Sequence, residues 1–595
     1  MYDIIIQYKK RSKESFINYG FPTRQIDDKV RFSYKFIDDR LFVLGKSHNN
    51  LSYKDYYEDN QHLILINGII LARNKTGRSH FNASDIIYLL NTHTFEYNKF
   101  KGNFTLFIYS KKSQDLEIYT DHFALRPMYF GVKDSSVFIS NNLSILKSVD
   151  ETIDETTIFE KILFTYPITN QTYLKRFTLL DPGKHYSIIK SAIKEESLFN
   201  LQELVFNNTT QKFKYSKFNE IFNFNVYQRA KLDNKPLVTL TGGFDGRTVV
   251  ASMKGQNLDF HSFSFGRKGG ENTDVPLMLN ATLDISYEPV YLNEHYELNY
   301  SHFAYKAIEQ SDGLSPFERA NYSYAFTRLS DSSPILLSGL IGGEILGILY
   351  LKTDYFNKTY YDWIYDNKKI ELISTLESKG IKQFITNNKI FEIENDLNER
   401  IRNRIGLIRN MKNKENGYLF YLYDLISLGF RRFYGGQMHQ ERSNYENLLP
   451  FFDLDILEYL FSTNFIKRYK HSFSGNKIYK FLSRKPQSKL IQYNYPLLAQ
   501  KKVDRGFPPK YLLNPLFYPL AYYFFKKRKK TLKGDEFISN QWSEIFYKTV
   551  LNRKFNSIDL FKEEEIVSFM RNYKPENYNQ DFNRLLSMAI WLNKN

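Results

Sequence analysis

The sequence predicts an α/β protein whose C-terminal part contains a doubly wound parallel sheet. Strand-like segments at 236–240, 259–265 and 335–339 alternate with helix-length stretches, which is the pattern of such a sheet. In the N-terminal third, apolar and polar residues alternate over 104–108 and 116–119, as in half-buried strands joined by a turn. Doubly wound sheets bind their ligands at the carboxyl ends of the strands, so candidate sites are sought there.

Composition excludes several classes of protein. A chain of 595 residues predicts two to four domains with a large core. It contains no cysteine, which excludes disulfides, thiolate metal sites and thiol redox chemistry and favours a cytoplasmic location. No secretory signal is expected, because the apolar run 2–7 is too short and positive charges follow it. The longest apolar stretch, 335–351, contains Glu344 and falls short of the ~20 residues of a membrane helix.

The net charge of +17 would ordinarily indicate an anionic partner. Lys, Asn, Ile, Tyr and Phe share A/T-rich codons, however, and no nucleic-acid motif is present, so no nucleic-acid partner is predicted. At 516–530 an aromatic, apolar run turns abruptly basic, from Lys526 to Lys530. Two interpretations stay open: a buried helix with a solvated cationic end, or weak contact with an anionic membrane surface.

The stretch 237–250, LVTLTGGFDGRTVV, predicts a buried strand, a glycine turn and a helix that opens near Gly246. Glycines let the backbone approach a ligand, and the first helical N–H groups favour an anion. Asp245 would repel phosphate directly, so its expected task is to hold a magnesium ion that bridges to phosphate oxygens. The loop is therefore interpreted as a pyrophosphate cradle. The alternative is an ordinary strand–turn–helix corner that needs no ligand.

Segments spread along the C-terminal part resemble motifs of the asparagine synthetase family. TGGFDGR (241–247) resembles the SGG-x-DS loop of the ATP-pyrophosphatase superfamily, and ILLSGLIGGEILG (335–347) resembles its second loop. YENLLPFFD (445–453), GNKIYKFL from Gly475 and KKVDRGFPP from Lys501 are similar to three later elements. The resemblance implies an ATP-pyrophosphatase domain over 206–595, with a doubly wound parallel sheet, a helical C-terminal part, and ATP and Mg²⁺ as cofactors.

The N-terminal third is similar to the glutaminase domain of the same family. LILINGIILAR (63–73) resembles the strand and turn with the NG-E-I element, and 102–131 resembles the hairpin that follows. The resemblance implies an Ntn-hydrolase-like α/β/β/α sandwich over 1–205. A glutaminase of this type needs an N-terminal thiol, but Tyr2 stands there, and Ile69 replaces the glutamine-recognising Glu. The domain is therefore expected to be degenerate and to act as a scaffold or a surface for a protein or peptide.

The resemblance also implies a set of site residues. The ATP-binding positions are Leu240, Thr241, Gly242, Gly243, Asp245, Gly246, Arg247, Phe265 and Gly339. The metal ligands are Asp245 and Glu344. The catalytic positions are Lys477, Glu446 as part of a proton-accepting pair, and Lys480 as a substitute for Lys477. The alternative is that Lys477 is an ordinary surface lysine and that Glu446 caps a helix beginning near Phe452.

Three positions depart from the family pattern. Gly246 replaces the second serine of the first loop, and Arg247 beside it is a candidate phosphate contact. Gly343 replaces a metal-binding aspartate, which leaves Glu344 as its neighbour. Leu340 stands where several relatives carry a catalytic Glu or Tyr.

The function that the resemblance implies is adenylation of a substrate carboxylate, followed by attack of an amine without use of glutamine. Peptides are among the candidate substrates. An amine on the same substrate would give a lactam or macrocycle, as in β-lactam synthetases and lasso-peptide cyclases. An amine on another molecule, or ammonia, would give an amide. The alternative function is a catalytically degenerate synthetase that serves as a binding or scaffold subunit.

Overall fold

The structure is a computed structural model that describes residues 3–9, 32–47, 54–73, 79–189, 192–206, 211–329, 333–347, 369–386, 388–406, 417–473, 477–528, 534–555 and 559–593. In these ranges the strands form three sheets. The strands are β1 Asp3–Lys9, β2 Phe32–Ile37, β3 Leu41–Ser47, β4 Tyr56–Glu58, β5 His62–Ala72, β6 His80–Phe81, β7 Phe100–Ser110, β8 Leu116–Thr120, β9 Tyr129–Lys133, β10 Ser136–Ser140, β11 Phe177–Leu179, β12 Lys184–Ile189, β13 Ala192–Ser197, β14 Leu237–Thr239, β15 His261–Gly266, β16 Tyr287–Tyr291, β17 Ile335–Leu337 and β18 Glu446–Leu448.

Helices are concentrated in the C-terminal two thirds of the described chain. The α-helices are α1 Ala83–Asn91, α2 Leu143–Lys147, α3 Glu155–Phe164, α4 Leu201–Phe206, α5 Tyr215–Ala230, α6 Asp245–Gly255, α7 Glu271–Leu283, α8 Glu294–Leu298, α9 Tyr300–Gln310, α10 Ala320–Arg328, α11 Gly342–Leu346, α12 Leu372–Ser378, α13 Ile390–Gly406, α14 Gly417–Asp424, α15 Phe430–Phe433, α16 Gly435–Arg442, α17 Leu454–Phe461, α18 Lys477–Leu482, α19 Lys485–Asn494, α20 Pro496–Ala499, α21 Tyr518–Arg528, α22 Gly534–Val550, α23 Glu563–Arg571 and α24 Gln580–Leu592. A π-helical turn, Leu425–Gly429, joins α14 to α15.

Two antiparallel sheets form the N-terminal sandwich. Their strand orders are β11-β9-β10-β1-β3-β2 and β13-β12-β8-β7-β5-β4, with β6 beside β5. Side chains alternate along each strand, so Ile6 of β1 packs against Phe107 of β7 between the sheets. The outer face of the second sheet is covered by α1 through Ile86, and α2 and α3 cover the outer face of the first. The predicted strands at 104–108 and 116–119 lie in β7 and β8, and the α/β/β/α layering is confirmed.

The third sheet is parallel, with the order β16-β15-β14-β17-β18. Helices cover both of its faces. Phe263 and Phe265 of β15 make ring contacts with Phe326 of α10, whereas the hydroxyl of Ser264, on the opposite face, donates to the carbonyl of Asn272 in α7. β14 is the first strand of this sheet in sequence. β15 and β16 follow on one side of it, and β17 and β18 follow on the other, so the strand order reverses between β14 and β17. That reversal is where open α/β sheets bind ligands.

Buried ion pairs join the sandwich to the C-terminal part. The Lys101 ammonium of β7 lies 2.5 Å from a carboxylate oxygen of Asp455 and 3.4 Å from one of Asp453, and its side chain has no exposed surface. Arg229 of α5 pairs with the other oxygen of Asp453 at 2.7 Å. The predicted division at residue 205 falls within α4 and stays a prediction. No helix in the described ranges is long and apolar enough to cross a bilayer.

Candidate functional site

The turns that follow β14 and β17 lie against each other at the strand-order reversal. The Gly339 N–H donates to the Thr239 hydroxyl at 3.3 Å. A Cβ atom at position 339 would lie 2.5 Å from the Gly246 nitrogen, and a Cβ atom at position 246 would collide with the Thr239 carbonyl oxygen. Both positions therefore require glycine in this arrangement.

The first turn is held from both sides. Leu240 is buried and its N–H donates to the Phe263 carbonyl at 2.8 Å, which extends the sheet. The Thr241 hydroxyl accepts from the Gly243 N–H at 3.3 Å. The Asp504 N–H donates to the Gly242 carbonyl at 2.8 Å, so the segment that resembles the last synthetase motif closes onto this turn.

Asp245, at the start of α6, is engaged by cationic and amide groups. Its Oδ1 lies 3.4 Å from Nη1 of Arg484 and also accepts a hydrogen bond from the Gln487 amide. Arg484 immediately precedes α19, and its guanidinium lies where a side chain at position 343 would stand. A Cβ atom there would be 2.7 Å from Nη2 and 2.8 Å from Cζ of Arg484.

The predicted metal ligands do not form a magnesium site in this arrangement. Mg²⁺ requires near-octahedral oxygen ligands at about 2.0–2.1 Å. Asp245 is paired with Arg484, and Glu344 accepts a hydrogen bond from the Tyr434 hydroxyl at 3.0 Å. Among the described residues, no group of three His, Asp or Glu side chains could enclose a metal by itself, so a magnesium ion here would depend on one or two carboxylates together with substrate phosphates. The acidic residues present do not fit a protein-held magnesium ion.

Two further arginines surround the turn. Arg247 is fully buried and donates from both terminal nitrogens to the carbonyls of Lys501 and Lys502, at 2.7 and 2.9 Å. Burial lowers the pKa of Arg247 to about 10. These bonds fix the segment after Lys501 against α6. Arg505 lies 5.0 Å above the ring of Phe525, and burial and then the neighbouring Arg484 lower its pKa.

The second turn contains a strained residue. Ile341 is buried and has φ +66°, in the left-handed region that a β-branched side chain rarely adopts. Such a conformation costs about 1–3 kcal/mol and is concentrated at functional sites. Leu340 is half-buried against the core, with its N–H donating to the Ser338 hydroxyl at 3.1 Å.

The structure describes Lys480 and Phe265 more fully than the predicted catalytic residue Lys477. Lys477 begins α18, but its side chain lies outside the described part. Lys480 is half-buried in the same helix, which leads directly to Arg484. Phe265 makes a ring contact with Tyr322 at 4.9 Å on the α10 side of the sheet. Their roles stay predictions.

Glu446 begins β18 and is only 1% exposed. It forms an ion pair with Arg126 of the sandwich, whose Nη1 also donates to the Asn67 side chain at 3.2 Å. The alternative in which Glu446 caps the next helix is wrong, because α17 begins at Leu454 and Asp453 is its N-cap. The predicted proton acceptor is therefore tied to the N-terminal domain.

The C-terminal part contributes to the region of the predicted degenerate glutaminase site. Asp3 and Asn67, from the sandwich, line a small cavity together with Gln310, His439 and Arg442. Ile69 is buried, and Tyr2 lies outside the described residues.

Within 516–528, α21 is only partly buried: Ala521 is buried, and Tyr522 and Phe525 pack against the core. Leu516 is 85% exposed, Leu520 of α21 is 44% exposed, and Lys526 and Lys527 are also exposed. Lys529 and Lys530 lie outside the described residues. The structure therefore presents an apolar surface beside a cationic one.

Sequence reasoning missed Arg484, Gln487, Arg505 and Arg126. Two signals were available. Arg484 lies two residues after the matched stretch GNKIYKFL, and Arg505 lies inside the KKVDRGFPP run.

Comparisons with known proteins assign the N-terminal domain. A family model described as a glutamine amidotransferase domain matches residues 74–199. No curated protein matches the chain. Two solved structures are similar: glutamine phosphoribosylpyrophosphate amidotransferase from B. subtilis complexed with ADP and GMP, at 9% identity over 42% of this chain with a TM-score of 0.19, and the allosteric regulatory enzyme of purine biosynthesis, at 10% identity over 48% with a TM-score of 0.21.

This chain spans 51% and 58% of those two structures, and TM-scores this low do not establish a shared overall fold. The domain match and the layered sandwich together identify an Ntn-type glutamine amidotransferase domain, followed by a parallel α/β sheet.

Proposed function

We propose that the chain is an ATP-dependent, AMP-forming carbon–nitrogen ligase of the asparagine synthetase type that does not use glutamine. The observation that carries the proposal is the meeting of distant segments at the strand-order reversal. The turn 241–245 contacts both the turn 338–344 and the segment 501–507, and Arg484 lies against both turns. Each lies in or beside a stretch that resembles a synthetase motif.

The chemistry that fits this arrangement is activation of a carboxylate. A carboxylate reacts poorly with amines because oxide is a poor leaving group, and transfer of AMP replaces it with a good one. The first N–H groups of α6 and the guanidinium groups of Arg484 and Arg505 supply positive charge where pyrophosphate would develop.

The nitrogen would come from an amine or free ammonia. The 595 residues contain no thiol, and Ile69 stands where the resemblance places a glutamine-recognising Glu. An amine on the substrate itself would give a lactam or a macrocycle, with peptides and other carboxylate-bearing natural products as candidate substrates. A cytoplasmic location and a weak contact of Lys526–Lys530 with anionic membranes remain parts of this proposal.

A second candidate function is favoured by two ion pairs. Arg484 engages the carboxylate of the predicted metal ligand Asp245, and Arg126 engages that of the predicted proton acceptor Glu446, so both carboxylates are already paired. On this alternative the synthetase site is dead or vestigial and the chain acts as a binding or scaffold subunit.

The test combines nucleotide binding with pyrophosphate release. At a hundred times its dissociation constant, ATP should stabilise the chain by about 2.7 kcal/mol. Gly339→Ala should remove this stabilisation, because its Cβ would push apart the two turns. Gly406→Ala is the matched control, since a Cβ atom there meets nothing within 4 Å.

Pyrophosphate release on addition of candidate carboxylic acids and amines would identify the ligase. When glutamine is added, the chain should release no glutamate from it. ATP binding without pyrophosphate release from any of them would favour the scaffold. No stabilisation by ATP would contradict the ligase and favour a scaffold with a vestigial nucleotide site.

A further inference from the structure

We propose that Arg484 takes the place of a divalent cation, so that this site binds nucleotide phosphates without a metal. The inference rests on the nucleotide site proposed above and specifies how that site is neutralised. It starts from the misfit between the predicted magnesium ligands and the groups that surround them.

The first step concerns space. The guanidinium of Arg484 fills the volume that any side chain at position 343 would need, with Nη2 and Cζ at 2.7 and 2.8 Å from the Cβ position. Its Nη1 also lies 3.8 Å from the Cβ position of Gly347, one turn further on. The second turn is therefore shaped around a guanidinium, and a carboxylate ligand could not be added at position 343 without displacing it.

The second step concerns charge. Asp245, which would hold a metal, instead faces Nη1 of Arg484 at 3.4 Å, and Gln487 donates to the same carboxylate oxygen. The ion pair with Asp245 holds the Arg484 guanidinium in a fixed position. In the described part of the chain the hydrogen bonds of Arg484 all use Nη1, which leaves Nη2 and Nε to bind a phosphate.

The third step concerns the neighbouring cation. Arg505 is close enough to Arg484 for their like charges to lower the pKa of Arg505, although its largest shift comes from burial. Three guanidinium groups, of Arg247, Arg484 and Arg505, lie near two carboxylates, of Asp245 and Asp504, which leaves a net positive charge at the turn. A polyphosphate that binds between them relieves this repulsion, which is the task a metal performs in other nucleotide sites.

The experiment measures ATP binding by isothermal titration calorimetry on the full chain, with excess EDTA or with excess MgCl₂. We expect affinities within about twofold of each other. Arg484→Gln should weaken binding in EDTA by roughly ten- to a hundredfold, the range for lost hydrogen bonds to a charged group. Lys485→Gln is the control, because the Lys485 ammonium instead contacts the Tyr518 hydroxyl at 3.2 Å.

A compensating variant gives an independent measurement. Gly343→Asp combined with Arg484→Gln exchanges the cation for a second carboxylate, so its ATP binding should become dependent on Mg²⁺. Binding of wild-type chain to ATP only in the presence of Mg²⁺ would overturn the inference and leave the nucleotide site standing. Failure to bind ATP in either buffer would overturn the proposed function as well. The wild-type comparison needs no variant and decides the matter even if Arg484→Gln does not fold.

Discussion

Replacement of Arg126 by methionine should destabilise the chain by about 3–5 kcal/mol, the usual cost of removing one partner of a buried ion pair. The side chains of Arg126 and Glu446 are only 3% and 1% exposed, so Glu446 would lose the cation that faces it without gaining water. At about 2.1 cal/mol/K per residue, the unfolding entropy of 595 residues is roughly 1.2 kcal/mol/K. The midpoint should therefore fall by about 3 °C if the chain unfolds as one unit.

Differential scanning calorimetry at pH 7 measures this shift. The double variant Arg126→Met with Glu446→Leu should recover most of the loss, because apolar side chains of similar volume often replace a buried pair without cost. Arg73→Met is the comparison. Arg73 also joins the two halves of the chain, through Glu458, but their side chains are 30% and 34% exposed and the loss should stay below about 1 kcal/mol. Equal midpoints for the Arg126 and Arg73 variants would refute the reasoning from burial.

Three further predictions concern catalysis, pH and surfaces. Lys477→Ala should abolish pyrophosphate exchange and leave ATP binding intact, because a contact made in the transition state raises turnover without strengthening ground-state binding. Full activity of this variant would assign the catalytic role to Lys480 instead. Burial raises the pKa of Glu441 to about 7. The folded chain therefore holds this proton more tightly than the unfolded chain, and stability falls as pH rises from about 4 to 7. Glu441→Gln should remove roughly 3 kcal/mol of this loss of stability between about pH 4 and pH 7. Urea unfolding midpoints at the two pH values measure it. A variant with the same pH dependence as the wild-type chain would contradict the raised pKa. Because Leu516 and Leu520 are exposed near Lys526, the chain should float weakly with anionic vesicles and not with neutral ones. Leu516→Asp should reduce this flotation. Equal binding to both kinds of vesicle would exclude an electrostatic contact.

The local elements of the site could be predicted from the sequence. The helix expected to open near Gly246 is α6, Asp245–Gly255, and the strand before it is β14, Leu237–Thr239. Apolar runs and glycine turns are local signals, and they also predicted the parallel sheet. The requirement for glycine at 339, by contrast, follows from the approach of two turns about 100 residues apart in sequence.

The partners of the site residues could not be predicted in the same way. Asp245 and Arg484 are separated by 239 residues, and Arg126 and Glu446 by 320. Such pairs are created by tertiary packing, which no periodicity reports. The sequence showed that a carboxylate is missing at Gly343, but only the folded chain shows that a guanidinium from a distant helix occupies its volume.

The buried ammonium of Lys101 restricts recombination between the gene of this protein and the genes of its relatives. Its partners, Asp453, Asp455 and the Asn225 amide at 2.6 Å, are all encoded far downstream. A recombinant that received the first third of the gene from a relative with an apolar residue at position 101 would bury Asp453 with one cation fewer. This buried charge, like the Arg126–Glu446 pair, therefore links the inheritance of the two halves, which restricts exchange of the amidotransferase-type domain.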